Sequence, residues 1–324
     1  MSDTTDILIC GAGPSGLAAA ISFGAAGFDV ICVDPTPPVT SEHDPAADIR
    51  TTAILQPGRS LLQASGLWQR LDPFASPLQV MQIVDATKSE IVKKSFNASD
   101  LGDIPFGWNL PNWLIRREML AQLADLPNVS LRPNVGFASM TARSAHAKIR
   151  LSDGTNVTAK LVIGADGRNS AVRQACDIGV RTTRYGQKAL VFAVSHPVPH
   201  DNVSTEVHRS GGPFTLVPLP DLDGKPRSAV VWMELGSEPA RLAALPEAEF
   251  NVEATARSAE VLGPLTLCSR RAVWPIISQI ADRLIGERTA LVAEAAHVVP
   301  PIGAQGLNMS LADIAALLDI AQSS

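Results

Sequence analysis

The residues of this chain that could do chemistry are glycines and acids gathered in three short stretches. In the first, Gly11-Ala-Gly-Pro-Ser-Gly16 separates an apolar run from an alanine-rich one. Glycines in such a turn let the backbone approach a pyrophosphate closely, and the N-terminus of the following helix attracts its charge. Asp34 ends the next apolar run, where a carboxylate accepts a hydrogen bond from a ribose 2′-hydroxyl. This stretch therefore predicts dinucleotide binding, with a purely structural glycine turn as the alternative.

The acidic ribose partner also indicates which dinucleotide is expected. A carboxylate disfavours a ribose 2′-phosphate, and no lysine or arginine precedes Arg50 in the chain. FAD or NAD is therefore favoured over NADP at this site.

The second stretch places an acid on a glycine-flanked turn. In Gly164-Ala-Asp-Gly167, Asp166 follows a fully apolar run that predicts a strand. Open α/β sheets bind ligands outside the carboxyl ends of their strands, which makes Asp166 a candidate ligand contact. An ordinary turn-forming aspartate is the alternative interpretation.

The third stretch, residues 291–310, has the pattern of a strand, a tight loop and a helix start. An apolar run is expected to end as a strand at Glu294, and the adjacent Pro300 and Pro301 interrupt regular structure. After Gly303 an apolar pattern of helical period begins. The helix N-terminus predicts a site for a group with partial negative charge.

The composition limits the class of protein. A chain of 324 residues predicts two domains, and its formal net charge of −5 without basic clusters argues against a nucleic-acid partner. The uncharged segment 7–28 contains five glycines and a proline, so a strand, turn and helix are expected there rather than a membrane span. Asp3 and Asp6 precede it with the wrong charge for a secretory signal. The four scattered cysteines make a reducing cytoplasm the simplest location.

The elements that must position these stretches alternate between strands and helices, which is typical of an α/β fold. The patterns predict strands at residues 6–10, 28–33, 78–94 and 161–164. They predict helices at residues 14–26, 48–62, 115–123 and 307–318. Residues 106–112 are expected to be turn-rich, and residues 129–160 to form a small antiparallel insertion.

Residues 180–274 predict a second sheet. Its strands are expected at residues 189–195, 204–208, 214–219 and 228–234, with one helix over 247–262. This region has no glycine loop of its own, so it is expected to form the substrate side of the protein. Phe214 and Leu216 are candidates for lining the substrate pocket.

In this order, the three stretches resemble those of the FAD-dependent aromatic hydroxylases, the class A flavoprotein monooxygenases typified by para-hydroxybenzoate hydroxylase. The chain looks most like the ubiquinone-biosynthesis hydroxylase branch, to judge by Tyr185-Gly-Gln-Lys-Ala189, Gly212-Pro-Phe-Thr-Leu-Val-Pro-Leu219 and the paired prolines. The resemblance implies a Rossmann-like FAD-binding domain of the glutathione-reductase type with an inserted mixed β-sheet substrate domain. The expected FAD-binding domain comprises residues 1–75, 107–178 and 276–324, and the substrate-side domain comprises residues 76–106 and 179–275.

The same resemblance implies which residues contact the cofactor. The first glycine loop would hold the ADP half of FAD, Asp166 would serve the pyrophosphate and NAD(P)H, and Glu294 would meet the ribityl chain. Arg50 and one arginine of the next helix would lie near the flavin, with Arg117 preferred to Arg116. The implied cofactor-binding residues are Gly11, Gly13, Pro14, Ser15, Gly16, Asp34, Arg50, Arg117, Asp166, Glu294, Pro301, Gly303, Ala304, Gly306, Leu307 and Asn308.

The mechanism implied by the resemblance places the chemistry on the flavin. NAD(P)H reduces FAD, O2 adds to give a C4a-hydroperoxide, and the terminal oxygen is transferred to a phenolic or quinone-precursor ring. The protein supplies orientation and a dry pocket, so no side chain is assigned as catalytic. The four cysteines have no metal-like spacing, and no metal is expected. His297 is interpreted as a structural residue at the turn, with proton transfer as the alternative.

The chain departs from the family pattern at two places. The family has Gly-Asp where this chain has Ala293-Glu294, and an alanine there requires a negative φ to avoid strain. Glutamate keeps the charge but reaches roughly 1.5 Å further than aspartate. The chain also stops at Ser324, where the family continues with a helical segment, so exposed apolar surface is expected to favour self-association or a pathway partner.

Two other functions stay open from the sequence. A non-catalytic or partner-dependent FAD-binding relative is consistent with Glu294 and the short C-terminus. An NAD-linked dehydrogenase would use only the first glycine loop and leave the proline loop unexplained. A flavin halogenase is disfavoured because no Trp-x-Trp-x-Ile-Pro run occurs. For the hydroxylase, the expected partners are a small aromatic substrate and O2, and any association with a membrane would come from partners or a substrate tail.

Overall fold

The computed structural model describes residues 2–209 and 211–323 and alternates strands with helices, as expected of an α/β protein. The strands are β1 (Ser2–Cys10), β2 (Val30–Asp34), β3 (Thr51–Leu55), β4 (Ser76–Leu78), β5 (Val80–Asp85), β6 (Val92–Asn97), β7 (Gly107–Pro111), β8 (Val129–Pro133), β9 (Phe137–Ala142), β10 (Ala147–Leu151), β11 (Asn156–Gly164), β12 (Val180–Ser195), β13 (Val203–His208), β14 (Pro213–Leu222), β15 (Lys225–Leu235), β16 (Thr266–Leu267), β17 (Ala272–Ala281), β18 (Ile285–Gly286), β19 (Thr289–Leu291) and β20 (His297–Val298). The helices are α1 (Pro14–Ala25), α2 (Gln56–Ala64), α3 (Trp68–Leu71), α4 (Asn112–Leu123), α5 (Ala171–Ala175), α6 (Glu238–Ala244), α7 (Glu247–Arg257) and α8 (Gln305–Gln322).

The first sheet has a parallel core in the order β19-β11-β1-β2-β8, with β18 antiparallel on β19. β1 is apolar and buried from Ile7 to Cys10, as expected of a parallel strand covered on both faces. α1 packs on the sheet through a continuous buried run and contacts α4 and α8. The predicted antiparallel insertion is confirmed for β9, β10 and β11, whereas β8 joins the parallel core beside β2.

The second sheet has nine strands in the order β20-β17-β12-β15-β14-β13-β5-β6, with β16 added on β12. One of its faces packs on α6 and α7, where Phe250 contacts Phe192 and Trp232 edge-on or tilted. The other face presents small and branched apolar side chains, including Ala189 and Val191. The strands predicted for this region are confirmed, and its helix α7 ends at Arg257 rather than at residue 262.

Two element predictions are wrong. Residues 51–55, expected to be helical, form β3, and residues 106–112, expected to be turn-rich, contain β7. β7 pairs antiparallel with β3 and β4 in a separate three-stranded sheet. The β-branched side chains of Thr51, Thr52 and Ile54 favour this extended pairing, and α2 begins only at Gln56.

The expected division of the chain into two domains stays a proposal, and the two large sheets match it only in part. β12, the first strand of the 179–275 segment, belongs to the nine-stranded sheet. The boundary at residue 276 falls inside β17, and β20 of the same sheet lies beyond it.

Across residues 2–209 and 211–323, no helix combines the length and the apolar character needed to cross a membrane.

Candidate active site

The three chemical stretches meet at one edge of the first sheet. In the strand register, Cys10 lies opposite both Val33 and Gly164, and Gly164 lies opposite Leu291. Because these strands are parallel, the segments that follow them leave the sheet at the same edge. The glycine loop, the Asp166 turn and the loop after β19 are therefore neighbours, at the kind of edge where open α/β sheets bind ligands.

The three glycines of the first loop have different structural roles. Gly11 has φ +107°, and a Cβ there would lie 2.3 Å from the Ala165 carbonyl oxygen. A Cβ on Gly16 would lie 1.8 Å from the Gly11 carbonyl oxygen, so both positions are needed for close packing of backbone. A Cβ on Gly13 would meet nothing within 4 Å. Gly13 is the N-cap of α1 without a side-chain cap, which leaves this helix end open toward a ligand.

Asp34 braces the glycine loop from the end of β2. Its Oδ2 accepts from the Ala12 amide at 2.6 Å, and its Oδ1 accepts from the amide and hydroxyl of Thr36 at 2.8 and 2.9 Å. A carboxylate has about four acceptor sites, so one remains for a ribose hydroxyl. The predicted ribose contact stays a proposal, with the carboxylate in the expected place.

Asp166 supports the start of α5, whose N-cap is Ser170. It accepts from the Ser170 hydroxyl and, at 3.1 Å, from the Val172 amide. These bonds match the interpretation of Asp166 as a turn-forming residue. The predicted contact of Asp166 with the cofactor stays a proposal. Arg173, to which the sequence analysis gave no role, links this stretch to the third one through bonds to the carbonyls of Ala295 (2.9 Å) and Arg168 (2.8 Å).

The third stretch differs from expectation at its start. β19 ends at Leu291, and Glu294 lies in the following 3₁₀ turn rather than at a strand end. Ala293 has φ +58°, not the negative value that an alanine would need to avoid strain. The exposed loop that follows contains Pro301 and Gly303 and ends at Ala304, the N-cap of α8, with φ +55°.

The side chain of Asn308 holds the start of α8 against β3. It donates to the carbonyls of Ala53 and Ala304, both at 2.7 Å, and accepts from the Leu55 amide at 2.9 Å. The predicted cofactor contact of this residue stays a proposal. Gly306 is exposed and Leu307 half-buried on the first turn of the same helix.

Arg50 is held by a buried carboxylate. Asp48 accepts from Arg50 Nε at 2.8 Å, from Arg50 Nη2 at 2.7 Å and from Asn112 Nδ2 at 2.9 Å. Burial alone would raise the pKa of Asp48, but the hydrogen bonds and charge of Arg50, with Asn112, outweigh it and hold that pKa below its usual value. The Arg50 guanidinium carbon lies 4.3 Å from the ring centre of Trp274.

The two arginines of α4 have different surroundings. Arg117 lies over the rings of Phe74 and Trp113 and pairs with Glu118 at 2.8 Å. Arg116 has a buried Nε without a hydrogen-bond partner in the part of the chain that the structure describes. The choice of Arg117 as the cofactor contact stays a proposal, and Arg116 is the arginine with an unused donor.

A cavity lies between the open face of the nine-stranded sheet and the loops at the edge of the first sheet. Its apolar wall comes from β12, β15 and β17, and its other side includes Arg50, Glu294 and Pro301. Phe214 and Leu216, expected to line it, are fully buried on the opposite face against α6 and α7. That prediction is wrong because the side chains of a strand alternate between faces.

The wall residues that the sequence analysis missed include Val191, Val231, Ile276 and Trp274. Apolar residues occupy both faces of these strands, so period-2 alternation could not assign the cavity face.

The residues that the structure describes contain no cluster of His, Cys, Asp and Glu able to hold a metal ion. His297 Nε2 lies 2.6 Å from Asp313 Oδ2, which ties β20 to α8 and agrees with the structural interpretation of this histidine.

Comparisons with known proteins give the family context. Residues 4–320 match the model of a family described as an FAD binding domain. The chain is 34% identical over 320 residues to ubiquinone hydroxylase UbiL of Rhodospirillum rubrum, covering 97% of this chain and 71% of the relative. It is 27% identical over 317 residues to 3-demethoxyubiquinol 3-hydroxylase of Escherichia coli, covering 98% and 79%. Among solved structures, Pseudomonas aeruginosa PqsL in complex with 2-aminobenzoylacetate is similar, with a TM-score of 0.81, 23% identity, and coverage of 98% of this chain and 86% of that one.

Proposed function

This chain belongs to the FAD binding domain family, and we propose that it hydroxylates a phenolic or quinone-precursor ring of the kind used in ubiquinone biosynthesis. It is an FAD-dependent oxidoreductase of the aromatic monooxygenase class, with NAD(P)H and O2 as co-substrates.

The residues present fit FAD. The space beside Gly13 and the N-terminus of α1, which has no side-chain cap among the described residues, leave room and helix-start amide donors for a diphosphate. Asp34 retains an acceptor for a ribose at the adjacent strand end. We assign the ADP half to residues 11–16 and Asp34, and the ring half to Arg50, Glu294 and residues 301–308.

The chemistry that FAD supplies when bound is electron acceptance from NAD(P)H and activation of O2. The chain's own residues supply the surroundings. The start of α8 brings the partial positive charge of a helix N-terminus to the ring end, which favours negative charge there. The sheet wall excludes water and orients an apolar ring.

One observation carries this proposal: the cavity is walled on one side by the substrate-side sheet and on the other by Arg50, Glu294 and Pro301. A single cavity therefore joins the expected flavin seat to an apolar surface suited to an aromatic ring.

The decisive experiment starts with the purified full chain. We expect a yellow protein that retains FAD through gel filtration and gains thermal stability when FAD is added. A panel of phenols should then include one that stimulates NAD(P)H oxidation and yields a product carrying oxygen from isotopically labelled O2. A colourless protein with no thermal response to FAD would rule the proposal out.

The same assay separates the alternative functions. A chain that retains FAD without any substrate-stimulated NAD(P)H oxidation would be a non-catalytic relative. We also propose that the chain self-associates or binds a pathway partner. Its proposed location is the cytoplasm, with peripheral attachment to a membrane.

A further inference from the structure

Two cations line the candidate cavity within the described residues, Arg50 and Arg168, and a carboxylate faces each of them. Asp48 binds Arg50 in a bidentate pair, with Nε to Oδ1 at 2.8 Å and Nη2 to Oδ2 at 2.7 Å. Glu294 Oε2 lies 3.5 Å from Arg168 Nε. The charged end of the cavity is therefore neutral in sum.

The rest of the wall carries no charge: most of it is apolar, and its polar side-chain groups are the Thr51 hydroxyl and the Trp274 indole N–H. The nine-stranded sheet contributes Val191, Val231, Ile276 and Val298, and the loops contribute Ile49 and Pro301. A carboxylate placed against this wall would lose hydration at a cost of several kcal/mol unless a free cation received it. No such cation lines the cavity in the part of the chain that the structure describes.

We propose that this cavity selects aromatic substrates that carry no carboxylate, and that Glu294 determines this specificity by pairing with Arg168. The inference rests on the proposed hydroxylase function, because it names the charge class of that enzyme's substrate.

The two ion pairs are unequal, which locates the specificity at Glu294. Asp48 is 8% exposed and also binds Asn112, so it holds Arg50 firmly. The side chains of Arg168 and Glu294 are 32% and 45% exposed, and their contact is longer than a close hydrogen bond. Loss of the Glu294 charge would free a guanidinium able to bind a carboxylate. The backbone carbonyl of Arg168 accepts from Arg173 and Gln279, so its side chain can be replaced without breaking those bonds.

The test compares two phenols of equal shape and different charge, 3-(4-hydroxyphenyl)propanamide and 3-(4-hydroxyphenyl)propanoate. Both are titrated into the FAD-loaded full chain at neutral pH by calorimetry, and the FAD content of every variant is measured first. We expect the wild-type chain to bind the amide on the order of tenfold more tightly than the carboxylate. Glu294→Gln should reduce that ratio roughly fivefold or more, whereas Glu294→Asp, which keeps the charge, should retain it.

Two further variants keep the result decisive. Arg168→Gln should widen the preference for the amide, because it leaves the Glu294 carboxylate unpaired beside the cavity. This variant also tests the inference if Glu294→Gln loses FAD. Glu287→Gln removes one exposed carboxylate outside the cavity and should leave the ratio unchanged. Equal binding of the two phenols by the wild-type chain, binding of neither, or an unchanged ratio in Glu294→Gln would each overturn the inference. Absence of FAD from the wild-type chain would instead count against the proposed function.

Discussion

The two ends of the candidate cofactor site reach left-handed backbone conformations with different residues. At the nucleotide end, Gly11 has φ +107° and carries no Cβ that could clash. At the ring end, the left-handed positions include Ala293 at φ +58° and Ala304 at φ +55°. An alanine in this region costs about 1–2 kcal/mol relative to a right-handed conformation. The nucleotide end is thus relaxed, and the ring end is strained.

The difference shows what holds each loop in shape. The glycine loop keeps its form because residue type and packing agree. The ring-end loop depends on contacts that outweigh its strain, such as the Asn308 bond to the Ala304 carbonyl and the Arg173 bond to the Ala295 carbonyl. A charged side chain also lies beside this loop, because the buried Asp48 holds Arg50 there. Substitutions should therefore break the two ends in different ways.

The largest effect is expected from Gly16→Ala at the relaxed end. The added Cβ would lie 1.8 Å from the Gly11 carbonyl oxygen, and neither backbone segment can yield without moving α1 or β1. We expect a loss of about 3 kcal/mol or more in the free energy of unfolding, together with loss of FAD. Urea denaturation and the flavin content of the purified protein measure these effects. If Gly16→Ala keeps wild-type stability and binds FAD, the backbone around Gly16 is less tightly packed than its contacts indicate.

Gly13→Ala is the matched control. Its Cβ would meet no atom within 4 Å, and φ at Gly13 is −68°, so the unfolding midpoint of the apoprotein should barely change. Its affinity for FAD should fall on the order of tenfold, because the methyl group enters the space assigned to the diphosphate. If Gly13→Ala unfolds as readily as Gly16→Ala, the two glycines do not have separate roles.

The same contrast explains how far the sequence could predict the structure. β1, α1 and β2 follow from local signals, since an apolar run, a glycine turn and a proline in the first turn of the helix lie in one short segment. β3 and β7 could not be predicted in this way, because each is stabilised by a strand distant in sequence. The sequence placed Asp166 at the carboxyl end of a strand, and the register adds that all three stretches leave the first sheet at the same edge.

The site was predicted less completely than the fold, for two physical reasons. The sign of φ at Ala293 cannot be read from an alanine, which adopts negative φ almost everywhere and is held at +58° here by tertiary contacts. The cavity face of the nine-stranded sheet could not be read either, since Phe214 and Leu216 on one face alternate with Thr215 and Val217 on the other. Both faces of the strand therefore carry apolar residues that could line the cavity.

An intermediate effect is expected from Asp48→Asn at the strained end. The change leaves the Arg50 guanidinium without its carboxylate. Because the Arg50 side chain is 38% exposed and partly screened by water, we expect a loss of about 2 kcal/mol at neutral pH. Because the folded pKa of Asp48 lies below its unfolded value, its contribution is full above the unfolded pKa near 4 and is lost as the pH falls through the folded pKa. Urea denaturation of both proteins at pH 7 and near pH 3 should show the gap between them shrinking in acid.

The exposed Asp103→Asn provides the baseline for that pH series, because Asp103 makes no hydrogen bond or ion pair among the described residues. Its stability should follow the wild type at each pH. A gap for Asp48→Asn that stays constant from pH 7 to pH 3 would mean that the carboxylate charge does not hold Arg50.

The smallest effect, and the most direct test of the strain, is expected from Ala293→Gly. Glycine removes the cost of a Cβ at φ +58° but adds entropy to the unfolded chain, so a net gain of about 1 kcal/mol and a rise of roughly 2–4 °C in melting temperature are expected. Ala296→Gly is the control three residues away. Ala296 is also buried but has φ −90°, so glycine there should lower stability by about 1 kcal/mol. Opposite changes in stability at these two buried alanines would follow from their backbone conformations, because the same methyl group is removed from each. Equal losses at both positions would mean that the Ala293 methyl contributes more by packing than it costs in strain, and the ring end would then be no more strained than the nucleotide end.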